Sequence, residues 1–176
     1  MNNETKLTAQ DLALYLGCEV EWLGERGCNL AGINTADQSF YPVGLIYSNG
    51  ITVWTQERAV KPILRPLSDM TEDEEKEFVP LCAGSQIARF SRDISGPKNW
   101  KRWSIEFENG DTDSLIMNEA GETWLASYFQ GSDERRNWRN IVNQHKQTDW
   151  LRMHRFDTEN WIAAGLAIDK TKIETK

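Results

Sequence analysis

Apolar and polar residues alternate in short runs over the first part of the chain. Cys18, Val20 and Trp22 alternate with two glutamates, which indicates a half-buried strand. Similar runs follow, separated by turn residues, and Asn49-Gly50 is the strongest hairpin signal among the turns. The strand-like runs are Cys18–Leu23, Cys28–Ile33, Ser39–Tyr47, Ile51–Thr55 and Val60–Leu67. This close spacing predicts a small antiparallel meander or an SH3-like barrel in the N-terminal half.

The last of these runs contains two prolines that restrict its backbone. The rings of Pro62 and Pro66 hold their φ angles at about −65°. They also keep the preceding residues, Lys61 and Arg65, extended. Because a proline cannot donate to a strand ladder, we expect an edge strand or a strand-like crossover. Lys61 and Arg65 share one face of an extended chain, and both are candidate binding residues.

Two helix starts carry a capping-box pattern, in which an acidic side chain follows a threonine by three residues. The pairs are Thr8 with Asp11 and Thr71 with Glu74. Further acidic residues reinforce the second start, since the helix dipole favours negative charge there. The predicted helices cover Ala9–Leu16 and Glu72 to about Leu81.

A β-hairpin is indicated in the middle of the chain. Trp103, Ile105 and Phe107 alternate with polar residues and predict the first arm. Asn109-Gly110 supplies the turn, and Asp113–Met117 forms the returning arm.

Helical spacing is typical of the remaining sequence. The predicted helices are Glu122–Gln130, Asp133–Lys146, a short helix capped by Thr148 that ends at Arg155, and Thr158–Ala164 after a cap at Asp157. Residues 84–99 are mixed: Ile87 and Phe90 can pack, and Gly96-Pro97 interrupts regular structure. Strands early and in the middle, with short helices at the C-terminus, predict the α+β class.

The length of 176 residues fits a single domain spanning residues 1–176. We expect a strand-rich half with an acidic helix (6–83), a divergent middle or insertion (84–147) and C-terminal helices (148–169). No apolar stretch approaches the ~20 residues of a membrane helix, and no signal peptide opens the chain. We therefore expect no membrane partner.

The negative charge is concentrated in the first half. Residues 1–85 hold 6 Lys and Arg against 13 Asp and Glu, whereas residues 86–176 hold 14 against 14. An acidic surface disfavours non-specific binding to nucleic acid and to anionic membranes.

The cysteines predict a reducing compartment. Cys18, Cys28 and Cys82 are odd in number and lack Cys-x-x-Cys spacing. Neither a disulfide scaffold nor a zinc ribbon fits this pattern, so free thiols in the cytoplasm are expected.

One stretch mixes aromatic and basic side chains as single-strand binders do. It consists of Trp100, Lys101, Arg102 and Trp103, with Arg89, Arg92 and Lys98 nearby. Trp103 belongs to the apolar face of the predicted strand, which leaves Trp100 as the stacking group. Single-stranded nucleic-acid binding through Trp100, Lys101 and Arg102 is thus an alternative function, less favoured than protein binding.

Acidic residues around the central hairpin suggest a second alternative. The cluster consists of Glu106, Glu108, Asp111 and Asp113. Its oxygens suit a hard cation, and a metal-dependent hydrolase would be built on Glu106 and Asp111. The spacing lacks a calcium-loop pattern, and outward carboxylates beside a turn explain it more simply. The sequence predicts no catalytic residue, metal site or cofactor.

The segment Lys61 to Glu72, read Lys-Pro-Ile-Leu-Arg-Pro-Leu-Ser-Asp-Met-Thr-Glu, resembles the signature segment of small uncharacterised proteins encoded by phages and prophages of gut bacteria. The likeness covers residues 6 to about 78 and 148–169. Its supporting matches are Lys6-Leu7-Thr8, Leu14-Tyr15-Leu16, Val20-Glu21-Trp22, Leu30-Ala31-Gly32-Ile33 and Gly165-Leu166-Ala167-Ile168-Asp169. The resemblance implies an origin in a mobile element and no catalytic residue.

These observations together predict a phage or prophage accessory protein. We expect a non-enzymatic protein-binding module that acts in the cytoplasm of the bacterial host. Its expected partner is a host or phage protein.

Overall fold

A computed structural model of the protein describes residues 6–34, 41–84, 86–93, 100–119, 121–127, 137–140 and 144–173. Helices and strands are both well represented in these ranges, so the predicted α+β class is confirmed. The helices are α1 (Ala9–Ala13), α2 (Glu72–Ala83) and α3 (Gln144–Met153). The strands are β1 (Glu19–Trp22), β2 (Glu25–Ile33), β3 (Val43–Tyr47), β4 (Thr52–Thr55), β5 (Val60–Leu64), β6 (Ile87–Asp93), β7 (Lys101–Phe107), β8 (Thr112–Met117), β9 (Thr123–Ser127), β10 (Asn137–Asn140) and β11 (Ile168–Asp169).

The chain groups into two compact units. Unit 1 runs to Pro66 and resumes at Arg152, and unit 2 spans Leu67–Leu151. Helix α2 therefore belongs with the middle of the chain. The expectation that residues 1–176 act as one domain concerns the two units together and stays a prediction.

The sheet of unit 1 is a meander whose fifth strand returns to the first. Its strand order is β11-β5-β1-β2-β3-β4, and β1 to β4 pair antiparallel in sequence. A 3-10 turn at Glu57–Ala59 precedes β5, which pairs antiparallel with β1. The predicted N-terminal meander is confirmed.

Strand β5 holds the first of the two prolines. Pro62 pairs with Val20 of β1. Outside β5 lies the two-residue strand β11, which pairs in parallel with Ile63 and Leu64. Strand β5 is therefore not the edge predicted from its prolines. The outer pairing starts one residue after Pro62, so a missing N–H there costs no bond to β11.

The core of unit 1 joins the start of the chain to its end. The buried Tyr15 hydroxyl donates to the Phe156 carbonyl at 3.2 Å and accepts from the Thr158 N–H at 3.2 Å. The Tyr15 ring lies 5.1 Å from that of Trp161. These contacts hold the turn that follows α1 against residues 156–161, although the two segments are far apart in sequence.

The predicted helix Thr158–Ala164 is not an α-helix. The expected hydrogen bonds of Asp157 are present: its carboxylate accepts from the N–H groups of Trp161 and Ile162 at 2.9 and 2.8 Å. Residues 161–165 nevertheless form turns. Asn160 adopts a positive φ of 58° and Gly165 one of 73°, and such residues interrupt helical hydrogen bonding.

Unit 2 consists of an antiparallel sheet in the order β10-β9-β8-β7-β6. The predicted hairpin forms its centre, where β7 and β8 pair around a turn at Gly110, whose φ is 85°. Helix α2 packs on one face, with the Phe78 ring 6.1 Å from Trp103 and 5.3 Å from Trp150.

Two predicted helices of this unit are wrong in part. Residues 123–127 of the expected helix Glu122–Gln130 form strand β9, which pairs with β8 along its whole length. Strand β8 is buried over its last four residues, and buried backbone N–H and C=O groups must be paired along both edges of the strand. That tertiary demand outweighs the local helical preference. Residues 128–130 lie outside the described part.

The expected helix Asp133–Lys146 is replaced by a strand and a later helix. Residues 137–140 form β10, and helix α3 begins at Gln144. Thr148 lies inside α3 and does not cap it. Its hydroxyl donates to the Gln144 carbonyl at 3.1 Å, a bond that threonine makes inside helices.

Candidate protein-binding groove

A groove of about 560 Å³ opens between helix α2 and strand β6 of unit 2. The helix supplies one wall through Glu72, Glu75, Lys76 and Pro80. The strand supplies the other through residues 87–92. The lining residues follow both elements, from Glu72 to Gly84 and from Ile87 to Arg92, an arrangement that suits an extended ligand.

The direction of the backbone groups along β7 follows from two hydrogen bonds near its end. The Phe107 N–H donates to the Asp111 carbonyl, on the β8 side, at 2.9 Å. The Glu108 N–H donates to the Gln86 carbonyl, on the β6 side, also at 2.9 Å. Backbone groups of successive residues alternate in direction along a strand. Ser104 therefore directs its N–H and C=O toward β6.

Strand β6 has an outer edge in the described part of the chain, where its pairing partner is β7. Ser91 lies opposite Ser104 and so exchanges hydrogen bonds with it. By the same alternation, Phe90 and Arg92 direct their N–H and C=O groups away from β7. Among the described residues, no strand pairs with these groups.

The side chains of Phe90 and Arg92 lie on the face that α2 covers. Phe90 is opposite Ile105, and Arg92 is opposite Trp103; residues opposite each other share a face of the sheet. Trp103 contacts Phe78 of α2. Phe90 and Arg92 therefore present their backbone groups at the outer edge of β6 and their side chains to the groove.

A buried ion pair lies beneath the groove. Glu75 and Lys101 are only 3% and 7% exposed. The Lys101 ammonium donates to Glu75 Oε1 at 3.2 Å and to the Met70 carbonyl at 3.3 Å. The Trp103 indole N–H donates to Glu75 Oε2 at 3.0 Å. Each carboxylate oxygen is thus satisfied from inside the unit.

Arg92 reaches the same carboxylate from the groove. Its Nη1 lies 3.5 Å from Glu75 Oε1, and its side chain is 45% exposed. Burial lowers the pKa of Lys101, against the attraction of Glu75, which raises it, and Arg92 adds a smaller lowering. Two cations thus share one buried carboxylate, and only Arg92 reaches the solvent.

The sequence positions Glu75 through the start of α2. The Thr71 hydroxyl accepts from the Glu74 N–H at 3.3 Å, and Glu74 accepts from the Thr71 N–H at 2.8 Å. This predicted capping box is confirmed, as is that of Thr8 and Asp11. Because the cap fixes where the helix begins, it also fixes which acidic residue of the first turn faces inward.

The segment predicted to bind single strands is divided between the two faces of the sheet. Lys101 and Trp103 point inward to Glu75. Arg102 lies on the other face, with its Nε 3.3 Å from Asp93. Trp100 is 43% exposed and stacks on Trp124 with 6.0 Å between ring centres. The four residues therefore do not form one basic and aromatic surface.

The two cations predicted in the proline-containing strand lie in unit 1. Lys61 is exposed and pairs in register with Glu21. Arg65 follows the end of β5, and its guanidinium lies 4.4 Å from the centre of the Phe156 ring. Arg65 is thus engaged in a cation–π contact inside its own unit.

The acidic hairpin residues make local contacts. Glu106 pairs with Arg89 at 2.5 Å, and Asp111 accepts from the side-chain amide of Asn109 at 2.7 Å. In the described part of the chain, no group of three or more His, Cys, Asp or Glu side chains is arranged to hold a metal ion. No observation on these residues favours the hydrolase alternative.

The cysteines are buried and free. Burial raises the pKa of Cys18 to about 12 and also raises the pKa of Cys28 and Cys82. A thiol held in its neutral form is a poor nucleophile.

The chain matches no protein-family model, no curated protein and no solved structure. None of the helices within the described ranges is long and apolar enough to cross a membrane.

Sequence reasoning missed the residues that form the groove. Glu75 was visible only as one acid among several at a helix start, and Phe90 and Arg92 lay in a stretch without clear periodicity. Their two-residue spacing is a weak strand signal. Recognising the edge also requires the strand order, which the sequence does not reveal.

Proposed function

We propose that the protein is a non-enzymatic binding module that holds an extended segment of a partner protein as an added strand on β6. The observation that carries this proposal is the outward-facing backbone of Phe90 and Arg92 beside a groove of about 560 Å³. Strand addition gains affinity from main-chain hydrogen bonds and specificity from alternate side chains.

The layout of the groove supports this mode of binding. An added strand lies about 4.8 Å from β6, and every second side chain points toward α2. Phe90 and Ile87 offer half-buried apolar surface there. Edge strands that proteins leave open are ready templates for such pairing.

The expected setting follows from the resemblance to phage and prophage proteins. In this proposal the module acts in the bacterial cytoplasm, and its partner is a host or phage protein. The buried free thiols are compatible with a reducing compartment.

The test uses the full chain as bait for a ribosome-displayed library of short random peptides. We expect enriched peptides that bind the wild-type protein, bind the Phe90→Ala variant more weakly and do not bind Phe90→Pro. The alanine removes only the side chain, whereas the proline also removes the N–H that faces the added strand. Since this N–H makes no bond to β7, both variants should fold, which circular dichroism checks.

A chemical change in the peptide completes the test. N-methylation of alternate amides should abolish binding when the methylated amides face β6 and be tolerated at the positions between them. The proposal is wrong if no peptide is enriched, or if binding survives both Phe90→Pro and methylation at every position.

A further inference from the structure

A partner strand on β6, as proposed above, would place two of its side chains over the groove. Residues with outward backbone groups form the pairs that exchange both hydrogen bonds with the new strand. The partner residues opposite Phe90 and Arg92 therefore share their face, which is the face of α2. These two partner residues are two positions apart.

Arg92 differs from the other cations around the groove in how its charge is balanced. Each of the others has a carboxylate of its own within the described residues. The pairs are Lys76 with Asp73, Arg89 with Glu106 and Lys101 with Glu75. Within the same described residues, Arg92 shares Glu75, which already accepts from Lys101 and Trp103.

The guanidinium of Arg92 can bind a second carboxylate. Its side chain is 45% exposed, and its contact to Glu75 is long at 3.5 Å. Arginine binds carboxylates through paired N–H groups in a plane, more strongly than it binds neutral acceptors. Glu72 is the other carboxylate of the lining besides Glu75; it lies in the first turn of α2, where the helix dipole offsets its charge.

The surface opposite Phe90 has a different character. Phe90 is half-buried, and Ile87 and Pro80 also line the groove. An apolar partner side chain would remove part of this surface from water.

We infer that the groove selects a segment with an acidic residue opposite Arg92 and an apolar residue opposite Phe90. Because antiparallel strands run in opposite directions, the antiparallel partner reads acidic-x-apolar from its N-terminus. This inference rests on the proposed strand addition and adds the chemistry of its partner.

The experiment compares an enriched peptide with its isosteric amide. We expect the library selected above to be enriched in Asp or Glu two residues before an apolar residue. Replacing that acid by its amide should weaken binding to the wild-type protein by about tenfold, measured by fluorescence anisotropy at low salt. The loss should shrink as the salt concentration rises.

Variants of the protein assign the effect to Arg92. With Arg92→Gln, the acidic peptide should bind as weakly as its amide, and Arg92→Lys should restore part of the difference. Arg89→Gln is the matched control. Arg89 lies opposite Glu106, on the face of the sheet away from α2, and forms an ion pair with it. It should leave the difference between the two peptides unchanged.

The outcomes separate this inference from the proposed function. Peptides that bind through the β6 edge without acidic enrichment would overturn the inference alone. Equal weakening of both peptides by Arg92→Gln would do the same, and the unfolding midpoint of each variant shows whether it is folded. If no peptide binds in a way that depends on the β6 edge, both the proposed function and this inference are overturned.

Discussion

The interior of unit 2 depends on one carboxylate. Glu75 is buried, and it receives hydrogen bonds from Lys101 and Trp103 while Arg92 lies near it. Removing a charge from water costs several kcal/mol, which a buried partner offsets only when the geometry is good. Deleting Glu75 therefore leaves the Lys101 ammonium buried without its carboxylate, and deleting Lys101 leaves Glu75 with the longer contact to Arg92 as its remaining ion pair among the described residues.

The Glu75–Lys101 pair should show strong coupling. We expect Glu75→Leu and Lys101→Met to lower the free energy of unfolding by about 3–5 kcal/mol each. The double variant should lose much less than the sum of the two, because no uncompensated charge remains. The hydrogen bond from the Trp103 N–H is lost both in Glu75→Leu and in the double variant. The cost of this loss therefore cancels from the coupling energy. Urea unfolding of the four proteins measures that energy.

An exposed pair on the same helix is the control for this cycle. The Lys76 ammonium lies 2.6 Å from Asp73, but both side chains are well exposed. Lys76→Met should leave the free energy of unfolding nearly unchanged, since solvent screens such pairs. Additive losses at Glu75 and Lys101 would show that the buried pair does not act as a unit.

Cys18 links stability to alkaline pH. Burial raises its pKa from the ordinary 9.0 to about 12. Above pH 9.0 the unfolded chain loses this proton while the folded chain keeps it. The thiol's contribution is therefore complete below pH 9.0 and is lost as pH rises toward about 12. The slope is at most about 1.4 kcal/mol per pH unit.

The measurement compares wild type with Cys18→Ala. Unfolding by urea below pH 9.0 and about one unit above it should show a steeper loss of stability for wild type. Cys28 and Cys82 are present in both proteins, so their effects cancel. Parallel pH profiles for the two proteins would contradict a buried, neutral Cys18.

At the scale of elements, short sequence motifs predicted the helix starts and the turn, whose hydrogen bonds form between residues close in the chain. Both capping boxes formed as expected because the hydrogen bonds of Thr8 and Thr71 depend on residues only three positions away. The hairpin at Gly110 formed for the same reason: its turn needs a positive φ, which glycine adopts without strain.

The strands of unit 2 that follow the hairpin could not be predicted this way. The sequence of β9, Thr-Trp-Leu-Ala-Ser, is a strand because β8 needs a neighbour. That demand comes from residues nearby in space and is absent from a short sequence window. Helix α3 (Gln144–Met153) was predicted as parts of two helices, the end of Asp133–Lys146 and the short helix capped by Thr148.

The candidate groove was beyond sequence reasoning for a related cause. Whether Phe90 and Arg92 face a partner or solvent depends on the position of β6 in the sheet. Whether Arg92 has a carboxylate of its own depends on Lys101, which the sequence offered as a nucleic-acid contact. Burial of Lys101 reverses that interpretation.

At the scale of the whole molecule, unit 2 is an insertion into unit 1. The chain leaves unit 1 after Pro66 and returns at Arg152. The stretch 84–147, expected from sequence to be an insertion or a divergent middle, lies within unit 2. The main apolar cluster of unit 1 consists, among the described residues, of side chains before Pro66 and after Arg152.

The two ends of unit 1 meet where the insertion begins, which allows unit 1 to be tested alone. The Arg65 N–H donates to the Arg155 carbonyl, and the Asp157 N–H donates to the Arg65 carbonyl, both at 2.8 Å. Arg65 and Phe156 pair as a parallel bridge, so their backbones are about 5 Å apart. A short Gly-Ser linker can therefore replace residues 67–151.

We expect this deletion variant to unfold cooperatively on heating and to keep a near-ultraviolet circular dichroism signal from Tyr15 and Trp161, whose rings lie 5.1 Å apart. Phe156→Ala in the same variant is the control: it removes a fully buried ring and the cation–π partner of Arg65. Its midpoint should fall, since such truncations cost about 3–5 kcal/mol. A deletion variant without a cooperative transition would mean that unit 1 needs the insertion in order to fold.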